Sequence, residues 1–127
     1  MDRLNLLEAR VWLDGVLGEE GRVRGDLRDL FLDMNGVALR APQVGEETQP
    51  PSAWPRLSEI AVPTLLVWGD LDFPHAQERC QTMSELIPDA RGRVMHGTAH
   101  LPSFEDPESF STLLTEFLTE VVQTDRP

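Results

Sequence analysis

At 127 residues the chain is one domain at most, and a chain of that size buries roughly two-thirds of its extended surface, enough for one modest core. Its formal net charge of -11 excludes a nucleic-acid binder, whose phosphate contacts need Lys and Arg, and equally an anionic membrane surface; the acids are scattered, which describes a well-solvated exterior. No apolar run reaches the roughly 18 residues of a membrane span. The start, Met1-Asp2-Arg3-Leu4-Asn5, carries no basic-then-apolar signal pattern. One cysteine rules out an internal disulfide. The expected location is the cytoplasm.

In chain order, residues 3–17 read as a helix, with Leu4, Leu7 and Val11 on one stripe and Leu6, Leu13, Val16 and Leu17 widening it. After a polar turn, Asp26 is placed to cap a second helix presenting Leu27, Leu30, Phe31, Met34, Val37 and Ala38 on one face. Residues 41–58 change character: Pro42, Gly45, Pro50 and Pro51 permit neither a helix nor a central strand, and this stretch reads as a linker.

Residues 62–68, Val-Pro-Thr-Leu-Leu-Val-Trp, are apolar without alternation, as in a parallel strand buried on both faces. His75 to Ile87 carries Ala76, Cys80, Met83 and Ile87 at helical spacing. Arg93-Val94-Met95 reads as a short strand. Asp106-Pro107 opens a last helix, with Phe110, Leu113, Leu114, Phe117, Leu118, Val121 and Val122 as its stripe. A strand-helix-strand-helix order makes the two strands parallel, and open parallel sheets react beyond the carboxyl ends of their strands.

Two candidate site residues lie there. Asp72 follows the first strand and His100 the second. Neighbouring strands are about 4.8 Å apart, close enough for the side chains to meet. An Asp that accepts from an imidazole fixes its tautomer and stabilises the imidazolium formed when the base takes a proton. Asp70 is a rival acid, suited also to loop amides. His75 and His96 read as surface or packing residues, Cys80 as a small core residue, and Glu105 as an acid favoured by the dipole of the last helix. His75, His96, His100 and Asp72 match no familiar metal-ligand spacing, and neither a metal nor a cofactor is expected. The nucleophile is missing: none of Ser52, Ser58, Ser84, Ser103, Ser109 and Ser111 sits in Gly-x-Ser-x-Gly after an apolar strand.

The run Ile60 to Asp72, the loop Gly97-Thr98-Ala99-His100-Leu101-Pro102, and Glu105-Asp106-Pro107 with its terminal helix closely resemble the C-terminal part of the α/β-hydrolase superfamily, over about residues 55–122. The resemblance implies an α/β fold with residues 1–40 as a cap-like helical segment, 41–58 as a Pro-rich linker and 59–127 as a partial hydrolase core. It implies Asp72 as triad acid and His100 as base, and a small-molecule ester, lactone or related carbonyl substrate. Without the elbow serine the chain is expected to be inactive alone. Its expected partners are a complementing N-terminal half or a second copy of itself. The alternative is a catalytically inactive remnant serving as a binding or interaction module.

Overall fold

The computed structural model describes residues 3–42 and 44–124; Gln43 of the linker stretch and both chain ends lie outside the described residues. Helix α1 spans Arg3–Glu8 and continues without a break as π-helix over Ala9–Gly15. Helix α2 spans Asp26–Arg40, and a 3-10 turn covers Trp54–Glu59. Strand β1 (Thr64–Gly69), helix α3 (Pro74–Leu86), strand β2 (Ala90–Met95), the single turn α4 (Pro102–Glu105) and helix α5 (Pro107–Thr124) complete the order.

β1 and β2 pair in parallel, Thr64 opposite Ala90 through Gly69 opposite Met95. The expected strands are thus present. β2 starts earlier than the expected 93–95 because Ala90 and Arg91 continue the ladder opposite Thr64 and Leu65. Side chains alternate between faces. Trp68 lies over Gly92, where a side chain would also meet Ser84 of α3. Arg91, opposite Leu65, reaches Phe117 and Glu120 of α5. Along α5 the ridge Phe110, Leu113, Phe117 and Val121 is half-buried, while Leu114, Leu118 and Val122 are exposed.

The N-terminal helices depart from the expected pattern. Helical structure ends at Gly15, not at residue 17, and the buried positions are Asn5, Ala9, Leu13, Asp14 and Gly15, while Leu6, Leu7 and Leu17 are exposed. The reason is polar. Asn5 donates to the Leu32 carbonyl at 2.8 Å and accepts from Asn35 at 3.0 Å, so its face turns toward α2. On α2 the buried side chains are Phe31 and Leu32, with Gly36 facing Asn5; Leu30, Met34 and Val37 stay exposed. Gly25 is the N-cap residue, and Asp26 sits in the first turn, where an acid suits the helix dipole.

These helices are docked, although the Pro-rich stretch separates them from the strands. Ala9, Leu13, Phe31 and Leu32 form the main core, packed against Trp12, Val23, Leu101 and Phe104. The core therefore sits between the helical segment and the chain just after β2. Backbone bonds seal the junction: Leu17 donates to the Leu71 carbonyl and His100 to the Trp12 carbonyl, each at 3.3 Å. Gly15, at φ +86°, lies where a Cβ would stand 2.7 Å from that of Ala99. Asp14, fully buried, accepts from the Gly21 and Val23 amides and from Arg28. No helix of the described residues is long and apolar enough to cross a membrane.

Candidate active site

The site forms where the loops after β1 and β2 cross. Gly69 ends β1, and the Thr98 backbone crosses directly over it; Leu71 N–H donates to the Thr98 carbonyl at 3.0 Å. Glycine is what this approach admits, because any side chain would occupy the space of the Thr98 and Ala99 carbonyls. With the loops in contact, Asp72 Oδ2 lies 2.8 Å from His100 Nδ1. The Asp72 side chain is 6% exposed and that of His100 is 42% exposed. Asp72 Oδ1 accepts from the Phe73 amide at 2.7 Å, and Gln77 Nε2 donates to the Asp72 and Asp70 carbonyls. The carboxylate is thus anchored away from solvent, and the imidazole faces outward.

Asp70 pairs elsewhere. Its Oδ2 lies 2.8 Å from His96 Nδ1 and its Oδ1 accepts from the Gly97 amide at 2.8 Å. The His96 hydrogen bond holds the Asp70 carboxyl below its ordinary value against a smaller upward push from burial, and the Gly97 amide adds to the lowering. The four residues weighed as metal ligands split between separate contacts, with His75 packed 5.2 Å from the Phe73 ring. Among the described residues no cluster of three or more His, Cys, Asp or Glu is arranged to hold a metal. Cys80 is half-buried on α3; burial pushes its thiol up, the Asp72 charge adds to this, and Arg79 opposes it.

Three contributors were not singled out from the sequence as site residues. The Trp12 ring lies 4.7 Å from the His100 ring and 5.4 Å from Phe73. Arg22 donates to the carbonyls of Leu13 and Gly97 at 2.7 Å and of Asp14 at 3.0 Å, and pairs with Glu105. Glu105 does not serve the last helix as expected. Its Oε1 accepts from the Ala99 amide at 2.8 Å, while Asp106 caps α5 through the Ser109 amide and hydroxyl. Those Ser109 bonds hold the Asp106 carboxyl below its ordinary value. A signal for Arg22 was present: every basic residue here is an arginine, whose rigid fork gathers several acceptors at once. An apolar groove of about 300 Å³ is lined by Phe31, Met34, Ala38, Leu101 and Phe104, with Asn35 at its side; Leu101 follows His100 in the chain.

Comparison with known proteins bears on the superfamily and the fold. No family model matches the chain. A Bacillus subtilis (strain 168) protein described as "Putative 2-succinyl-6-hydroxy-2,4-cyclohexadiene-1-carboxylate synthase" is 31% identical over 83% of the chain, and a "Pimeloyl-[acyl-carrier protein] methyl ester esterase" of Photorhabdus laumondii is 35% identical over 53%. The solved structure of MenH from S. aureus superposes on 55% of the chain with a TM-score of 0.53 and 37% identity. The residues belong to the α/β-hydrolase superfamily and correspond to a C-terminal portion of its fold. The chain spans 38% and 26% of the two curated relatives and 26% of the solved one.

Proposed function

We propose that these residues are the acid–base portion of a hydrolase acting on ester, lactone or related carbonyl substrates. His100 takes the proton of an attacking serine hydroxyl at Nε2 and returns it to the leaving group. Asp72, on Nδ1, orients the ring and stabilises the imidazolium. The serine is supplied from outside these 127 residues, which hold no Gly-x-Ser-x-Gly. The observation that carries this reading is the 2.8 Å Asp72–His100 contact at the ends of adjacent parallel strands. The ester named in the description of the Photorhabdus laumondii relative supports the substrate class, and the groove beside Leu101 suits the hydrocarbon part of such a molecule.

The test is a fusion of this chain to the portion of the Bacillus subtilis relative that it does not match. Saturable hydrolysis of an aryl ester is expected, falling at least about 10⁴-fold in His100→Ala. A folded fusion whose hydrolysis ignores His100→Ala contradicts the reading. The rival, an inactive remnant used as a binding module, is favoured by the exposed Leu114, Leu118 and Val122 ridge; a folded fusion without hydrolysis would support it.

A further inference from the structure

We propose that Arg22 and Glu105 are positioning residues for His100, clamping its loop to the N-terminal helices so that the imidazole keeps Nδ1 on Asp72. This rests on the reading of His100 as the base. The geometry is specific. Glu105, whose side chain is 3% exposed, spends one carboxylate oxygen on the Ala99 amide, immediately before His100, and the other on Arg22. A carboxylate held this far from water is costly unless both oxygens are satisfied. Capping of α5 does not explain it, since Asp106 does that work.

Arg22 carries the clamp across the junction. One guanidinium gathers the Leu13 and Asp14 carbonyls of the π-helical turn and the Gly97 carbonyl of the histidine loop. The next fixed group after the Ala99 amide is the His100 amide itself, which donates to Trp12. The Gly97 carbonyl and the His100 amide are therefore tied to the helical segment directly, and the Ala99 amide between them through Glu105 and Arg22. The ring is then left between Trp12 and Asp72. Loosening the backbone at Ala99 frees the ring to turn, and the tautomer is set by whichever bond the ring then makes.

The test is nitrogen-15 NMR of the full chain labelled in histidine at about pH 8.5, where ordinary imidazoles are neutral. The ring shifts report which nitrogen carries the proton. In the unmodified chain His100 is expected as the Nδ1–H form, lost in Asp72→Asn. Glu105→Leu is expected to give a tautomer mixture at His100 and about tenfold faster Ala99 amide exchange, with His96 unchanged. Glu105→Gln keeps an acceptor for the Ala99 amide but loses the charge facing Arg22. It is expected to fall between, at about threefold, and it decides the question if the leucine variant does not fold. A folded variant of either kind with the original His100 tautomer and exchange overturns the positioning role and leaves the pair standing. An unmodified chain whose His100 tautomer ignores Asp72→Asn overturns the pair itself, and the clamp with it.

Discussion

Gly69 and Thr98 are in backbone contact: a Cβ on Gly69 would stand 2.5 Å from the Thr98 carbonyl carbon, and nearer still to its oxygen. This contact lets the loop after β2 lie across the end of β1, and so brings His100 to Asp72. The obstacle is backbone, which cannot swing aside as a side chain does. Gly69→Ala is therefore expected to destabilise the chain by about 2–4 kcal/mol and to separate the Asp72–His100 pair. Thermal unfolding together with the His100 ring shifts checks this. A variant with an unchanged midpoint and an intact pair would show that the loops do not depend on the close approach.

A second expectation concerns acid. Burial pushes the Asp14 carboxyl up, but the Gly21 amide, Arg28 and the Val23 amide together bring it below its ordinary value. A folded-state value below the unfolded one gives stability that is present above the unfolded value, about 3.9, and is lost as pH falls through the lower folded value. Asp70 and Asp106 shift the same way, so the comparison must be with a variant. Asp14→Asn is expected to cost about 2–4 kcal/mol near neutral pH by stranding Arg28 and to make unfolding less acid-dependent below about pH 4. An unaltered midpoint and acid slope would contradict the Asp14 account.

The chain alone should not hydrolyse simple aryl esters faster than its His100→Ala variant. A base without a nucleophile has no serine to activate, and the triad's rate advantage belongs to the group as a unit. Initial rates across a range of ester concentrations check this. Saturable turnover abolished by substituting one of the six serines would reveal a nucleophile within these residues.

Among the described residues β1 pairs with β2 alone, and a two-strand sheet is marginal without further cover. An unpaired edge templates another strand, and the exposed Leu114, Leu118 and Val122 ridge adds apolar surface. Sedimentation of the pure chain is expected to show species above the 14.3 kDa monomer. A monodisperse monomer with cooperative unfolding and strong near-ultraviolet tryptophan signals would contradict this, and would favour a free-standing module.

The strand-helix-strand-helix order was legible because the apolar run of the first strand, the helical spacing of Ala76, Cys80, Met83 and Ile87 and the Asp106 cap are local signals, although β1 is half-buried rather than buried on both faces. The Asp72–His100 pair was legible for the same reason: strand ends of a parallel pair fix where the following loops meet. The inward faces of α1 and α2 were not. Periodicity assigns Leu7, Leu30, Met34 and Val37 to a core, but the Asn5 amide and Gly36 decide which faces meet, through one polar side chain and one close approach. The π-helical turn that carries Trp12 to the imidazole has no simple periodic signature. Arg22 and Glu105 are 83 positions apart, and only the folded chain shows that they meet.

The proposed role of Asp72, rather than Asp70, is to serve His100. It is tested most directly by comparing kcat for Asp72→Asn and Asp70→Asn in the fusion that supplies the serine. Asp70 holds His96 and the Gly97 amide, so Asp70→Asn is expected to lower kcat by no more than about threefold. Asp72→Asn leaves the shape of the site in place but favours the wrong tautomer, and kcat is expected to fall about 10⁴-fold. A larger loss in Asp70→Asn, or a kcat within a few-fold of the parent in Asp72→Asn, would contradict the assignment.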